Sequence, residues 1–250
     1  MSIIRALVAV LVLAPAAALA VEGHIKLDRA PIDPNDRASL QRGAHAFVNY
    51  CLSCHSAGYM RYNRLRDLGL SEEQIRDNLV FTGVKVGELM KSAMDPVEAK
   101  EWFGTTPPDL TVIARSRSSH DGPGSDWLYT YLRSFYRDNS RPTGWNNVVY
   151  PNVAMPHVMW RLQGEQVLKE AKEMAEGYMK TVEKLALDKP GTMKPGEFDT
   201  LIADLVNYMA YMSEPARHDR VVTGLYTLLV ISILVALSYA LKKSYWKDVH

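Results

Sequence analysis

The stretch YCLSCHSAGYMRY at 50–62 holds both cysteines of the 250-residue chain, Cys51 and Cys54, with His55 directly after the second. Two thiols and an imidazole this close can close a disulfide, contribute to a zinc site or attach a haem. A redox Cys-x-x-Cys opens a helix after a strand in a βαβ pattern, and no such pattern surrounds this one. Structural zinc takes four Cys or His ligands at set spacings, and a second pair is missing. Cys-x-x-Cys-His is the covalent attachment signature of c-type haem: both sulfurs add to vinyl groups, and the adjacent histidine reaches the iron. The motif predicts one covalent haem c, with Cys51 and Cys54 as its thioether cysteines and His55 as an axial ligand.

A haem iron with one protein ligand binds gases or substrates, whereas one with two mainly carries electrons, and methionine opposite histidine raises the potential. Eleven methionines and seven histidines leave residue type undecided. Most of the methionines read as core filler. Met174 and Met179 fall in a long helical pattern, Met209 and Met212 lie on a helix near the end, and Met60 is too close to His55 to reach round the ring. Met155 stands in YPNVAMPHVMW, where Pro151 and Pro156 fix φ and prevent regular structure from running through. A stiff loop there could project a thioether. Met159 and His157 are its local rivals.

A second polar piece is PPDLTVIARSR at 107–117. Consecutive prolines make an extended segment. A ligating histidine usually donates its other ring N–H to a carbonyl, and Pro108 could accept it, having no N–H of its own. Arg115 and Arg117 both have the forked guanidinium that suits a propionate carboxylate.

These groups need a scaffold. Gly43, Phe47 and Cys51 fall at four-residue steps on one helix face, extended by Leu40, Ala44 and Val48, with Asn35 or Asp36 as cap. Phe198, Leu201, Ile202, Leu205, Tyr208, Met209 and Met212 keep helical spacing near the other end, and Ser213–Pro215 stops it. The chain ends differ from the middle. Residues 1–20 have one basic residue, a short apolar run and Ala-Leu-Ala, the pattern of a cleaved secretory signal. Residues 221–241 carry no charge and are long enough to span a bilayer. Lys242, Lys243 and Lys247 follow with Tyr245 and Trp246, which puts the tail inside and the preceding domain outside. The expected order is a signal at 1–20, an exported haem domain at 21–213, a linker at 214–220, an anchor at 221–241 and a cytoplasmic tail at 242–250. The 29 Lys+Arg against 28 Asp+Glu leave no basic footprint for nucleic acid.

RGAHAFVNYCLSCH, YMRY, PPDLTVIARSR, RPTG, AMP and DLVNYMAYMSEP…H…R…GLY before the anchor together resemble the cytochrome c1 family. The resemblance covers most of the mature chain. It implies a mainly α c-type cytochrome domain with long irregular loops and one C-terminal transmembrane helix, in which Gly43 and Phe47 cross Leu205 and Tyr208. It also selects Met155 as the second axial ligand and Arg117 as the propionate partner. Further implications are a dimeric quinol–cytochrome c oxidoreductase (bc1) complex in the inner membrane, with cytochrome b and a Rieske iron–sulfur protein as partners. The Rieske protein would reduce the haem and a c-type cytochrome would accept the electron, with no bond chemistry on this chain.

Two segments depart from the family picture. Residues 163–187 read as a charged amphipathic helix with Val167, Leu168, Ala171, Met174, Ala175, Tyr178, Val182 and Leu185 on one side. The stretch 67–106 reads as compact without assignable contacts. Two rival functions remain: a stand-alone tethered cytochrome that shuttles electrons to an oxidase, and a haem sensor or peroxidase with an open sixth position.

Overall fold

The computed structural model describes residues 26–175 and 178–248, so the signal expected at 1–20 lies outside the described residues. Helix α1 (Arg37–Tyr50) begins where the Asp36 carboxylate accepts the Ser39 N–H at 3.0 Å, satisfying one of the donors a helix start leaves unpaired. The long helix α7 (Pro195–Ser213) crosses α1 and forms the centre of the domain.

Gly43 sits at that crossing. A Cβ there would run into the Asp204 backbone and come within 2.7 Å of Tyr208 Cβ, so only glycine lets the two helices approach this closely. One turn on, Phe47 and Tyr208, each fully buried, pack with ring centroids 5.6 Å apart. Beside them Arg42 grips buried Asp204 with two hydrogen bonds of 2.6 and 3.0 Å, the forked geometry that suits a carboxylate. The expected meeting of Gly43 and Phe47 with the terminal helix is therefore present.

Between α1 and α7 the chain wraps the core in short pieces. Strand β1 (Ala57–Arg61) is followed by a 3-10 turn at Tyr62–Leu68, α2 (Glu72–Leu79), β2 (Leu89–Met90) and α3 (Pro96–Phe103). Segment 67–106 is indeed folded in, since Leu68, Ile75, Leu79, Met90 and Ala99 are buried. Then come α4 (Ile113–Ser116), α5 (Gly124–Arg133), β3 (Phe135–Arg137), β4 (Trp145–Asn147) and α6 (Trp160–Gln163). Strand β1 pairs antiparallel with β2, and β3 with β4.

The helix expected over 163–187 is absent. Strands β5 (Gly164–Ala175) and β6 (Tyr178–Pro190) form an antiparallel ribbon instead, paired from Gly164↔Pro190 to Ala175↔Tyr178 with a one-residue register shift between Glu165 and Gln166. The cause lies at its base. Gly164 takes φ 98°, a conformation that ends α6 and that favours glycine. Gln166 donates to the Arg133 and Phe135 carbonyls at 2.8 and 3.0 Å, and Gln163 to Arg133 at 2.8 Å. Glu165 accepts from Arg137 at 2.9 Å and Lys189 at 3.1 Å. These non-local bonds hold the segment extended against β3, and they override the 3.6-residue period.

The last helix, α8 (Arg217–Tyr245), runs free of the domain. Its stretch Asp219–Tyr245 is long and apolar enough to cross a membrane and is not buried against the protein. Leucines and valines are exposed all round it, which water would not tolerate and lipid does.

Candidate functional site

At the end of α1 the backbone does not straighten. Cys51 N–H bonds back to Phe47 O at 2.9 Å, Cys54 N–H to Cys51 O at 3.1 Å and His55 N–H to Cys51 O at 2.8 Å. The chain rolls into a tight turn that brings Cys51, Cys54 and His55 to the edge of one cavity of about 520 Å³. That is the size range of cofactor pockets, roughly 300–1,000 Å³. Neither thiol is in a disulfide. Burial, with Cys54 adding to it, pushes the Cys51 thiol up to about 12. Among the described residues no group of three His, Cys, Asp or Glu side chains is gathered as a metal site would need.

His55 Nδ1 lies 2.8 Å from the Pro108 carbonyl. A carbonyl only accepts, so Nδ1 carries the hydrogen and Nε2 keeps its lone pair. Burial lowers the His55 pKa, partly offset by that hydrogen bond and by Asp109. The ring is thus neutral at pH 7, as a ligand must be.

Met155 borders the same cavity. Its loop is templated by two buried asparagines. Asn147 Oδ1 accepts the N–H groups of Val149 (2.9 Å) and Tyr150 (3.1 Å), and its amide donates to Tyr131 O at 2.8 Å. Asn146 Oδ1 accepts from Asn152 N–H at 2.8 Å, where Asn152 has φ 64°. Tyr131 donates its hydroxyl to the Met155 sulfur at 3.4 Å. The rivals face elsewhere. His157 is buried, stacked on Phe135 at 4.9 Å and edge-on to Trp145 at 5.0 Å, and Met159 is in the core. Met209 of α7 also touches the cavity but is packed within the core.

The two arginines separate. Arg117 lines the cavity, its guanidinium 4.6 Å from the Trp127 ring centroid and 5.6 Å from that of Tyr150. No carboxylate among the described residues pairs with it, and cation–π contact fixes the head without neutralising it. Arg115 instead lies 3.8 Å from Glu214, near the start of α8.

The structure thus gathers Cys51, Cys54, His55, Pro108, Arg117 and Met155 round one cavity. Sequence reasoning missed Trp127, Tyr131, Tyr150 and the asparagine pair. A buried-polar signal was present in GWNNVVY, where two amides sit among apolar neighbours, but no local rule says what they bond.

The donors fit a haem. Two thiols at attachment spacing, an imidazole with one nitrogen already bonded, a thioether, an unpaired guanidinium and largely apolar walls suit a planar ring with two carboxylates. With the exposed apolar helix, this is the class of membrane-anchored c-type haem proteins. Residues 28–249 match the Cytochrome C1 family. The chain is 50% identical over all 250 residues, and over the relative's full length, to the ammonia monooxygenase gamma subunit of Nitrosomonas europaea. It is 48% identical to cytochrome c1 of Allochromatium vinosum over 241 residues, 96% of each chain. Cytochrome c1 of Rhodospirillum rubrum matches at 27% over 86% of this chain and 83% of its own. The chain belongs to the cytochrome c1 family. It accordingly carries one covalently bound c-type haem, is anchored in a membrane, and is of the kind that serves electron transport in bc1 complexes.

Proposed function

We propose that this chain is the monohaem electron-transfer subunit of a respiratory bc1 complex, taking an electron from a Rieske iron–sulfur protein and passing it to a c-type cytochrome. In this reading it works beside cytochrome b in a dimeric complex of the inner membrane. The signal at 1–20 is removed, 21–213 form the periplasmic haem domain, 214–220 link it to the anchor at 221–241, and 242–250 are cytoplasmic. The lysines and Trp246 after the anchor support that orientation.

Cys51 and Cys54 would hold the cofactor by thioethers, and His55 and Met155 would ligate its iron. A haem held there supplies a one-electron iron couple. Pro108 keeps the His55 hydrogen on Nδ1, so Nε2 is the ligating atom. Arg117 offers two parallel donors to a propionate. Tyr131 draws electron density from the Met155 sulfur, which leaves a second lone pair for iron, and the apolar walls exclude water. The single observation that carries the reading is that Met155 and the Cys51–His55 turn border one cavity.

The test is the mass of the purified chain under denaturing conditions. One haem's added mass with loss of residues 1–20 is the expected result; an unmodified mass overturns the reading. Rapid carbon monoxide binding by the intact reduced protein would count against Met155 ligation and for an open-site sensor. The full-length likeness to a monooxygenase gamma subunit favours a second reading, membership of a monooxygenase assembly. Purification separates them: co-purification with a multi-span b-haem protein and a Rieske protein supports the first, co-purification with monooxygenase subunits the second, and a clean monomer a stand-alone shuttle.

A further inference from the structure

Pro107 and Pro108 have no N–H, so they cannot donate a bond that would pin the carbonyl facing His55. Its position must be fixed by neighbours. On one side Thr106 donates its hydroxyl to Pro96 O at 3.0 Å. On the other, Asp109 is the hub of a denser set. Its Oδ2 accepts the Gly58 N–H at 2.6 Å, and its Oδ1 accepts both the Thr111 N–H at 2.8 Å and the Thr111 hydroxyl at 2.5 Å. Around it, Leu110 N–H donates to Ser56 O at 2.8 Å and Tyr59 N–H to Thr111 Oγ1 at 3.3 Å.

Residues 109–111 are thus tied at three points to 56–59, the stretch that directly follows His55. That stretch is itself anchored. It enters β1, whose Ala57 and Met60 are buried and whose Ala57 pairs with Met90 of β2. A Cβ on Gly58 would stand 3.0 Å from Asp109 Oδ2, so the approach is already tight without a side chain.

We propose that Asp109 is a positioning residue for the haem: by clamping 109–111 onto 56–59 it holds the Pro108 carbonyl on His55 Nδ1, and so sets how strongly the imidazole donates to iron. This rests on His55 being an axial ligand. A carbonyl held on Nδ1–H makes the ring a stronger donor and favours the oxidised iron. Loosening the clamp lengthens that bond and raises the midpoint potential.

Two variants separate the clamp from the bare charge. Asp109→Asn keeps an oxygen for Thr111 but turns an NH2 toward the Gly58 N–H, donor against donor. Thr111→Val keeps the carboxylate and removes the hydroxyl that both donates to it and accepts from Tyr59. Midpoint potentials are measured by redox titration in the purified haem-loaded complex, with the sulfur-to-iron charge-transfer band of the oxidised protein as a check on ligation. The expected result is a rise in both. For Asp109→Asn the oxidised-to-reduced ratio at a fixed potential should shift roughly three- to tenfold, tenfold being about 59 mV for one electron; Thr111→Val should shift it less. A rise in Asp109→Asn alone overturns the clamp and leaves only a charge acting at a distance; no rise in either overturns the proposal outright. Absence of the band from the unmutated protein would instead overturn the His55–Met155 ligation on which the proposal stands. Should Asp109→Asn fail to load haem, Thr111→Val alone decides by the presence or absence of a rise.

Discussion

On one side of the cavity, Cys51, Cys54 and His55 lie within five residues and are set by backbone bonds of 2.8–3.1 Å inside a single turn. That turn ends a helix locked against α7 at Gly43. On the other side Met155 sits on a loop with no helix or strand of its own. It is held by amides of Asn146 and Asn147 and by a hydroxyl of Tyr131, 24 residues away in the chain. The first wall continues the helix that crosses α7 at the centre of the domain, so its failure should be failure of the domain. The second is specified by a polar network, so it should loosen while the domain stays folded.

Met155→Leu is the severest test of the second wall. Losing the thioether should drop the potential by roughly 0.2–0.3 V, part of the ~0.8 V that axial ligands span, and open the reduced iron to carbon monoxide. Redox titration and carbon monoxide difference spectra check it; no change in either means Met155 is not the ligand. Gly43→Leu probes the first wall. Forcing a side chain into the Asp204 backbone should cost at least about 1–3 kcal/mol, read as a lower unfolding midpoint accompanied by poor haem loading. Wild-type stability in the Gly43→Leu variant would break the comparison. Asn147→Ala strips a fully buried amide from four partners, the Tyr131 carbonyl, the Val149 and Tyr150 N–H groups and the Ser134 hydroxyl. Stranding those groups costs about 1–3 kcal/mol, yet here carbon monoxide access should rise while haem loading persists. Loss of loading instead would place both walls in one cooperative unit.

Tyr131→Phe is milder. It removes only the hydroxyl on the Met155 sulfur, makes that sulfur a better donor to oxidised iron, and should lower the potential by a few tens of millivolts, consistent with a bond of roughly 1 kcal/mol or less. The smallest effect lies outside both walls. Arg137 and Lys189 hold the Glu165 carboxyl at about 2 instead of its ordinary 4.5. A depressed folded value means the stabilisation is complete above about 4.5 and is lost as pH falls towards about 2. Protection of the amides at the ribbon base, taken relative to their intrinsic exchange rate at each pH, should fall through that window, and Arg137→Ala should flatten the response.

The CxxCH chemistry, the two amphipathic helices and the membrane span were legible because each is a short-range pattern: a spacing, a period or an uncharged run. That the two helices cross came only from the family resemblance. The ribbon at 164–190 was not legible. Its apolar residues keep a helical period, and only Gln163, Gln166 and Glu165 bonding to distant partners make it extended. Nor was Asp109 visible as more than one letter of PPDL, because its partner Gly58 is 51 residues earlier.

The sequence by itself determined which groups are available: two thiols beside an imidazole, a proline with only a carbonyl to offer, a thioether between rigidifying neighbours, and an uncharged helix of membrane length. These follow from covalent chemistry and local periodicity. Residue types and spacing left Arg115 against Arg117 and Met155 against His157 and Met159 open until the family resemblance chose between them. Only the tertiary structure shows Arg117 and Met155 at the cavity and what holds the Pro108 carbonyl on His55. Those placements belong to hydrogen bonds and packing between residues tens of positions apart, and such contacts have no signature in any one stretch of chain.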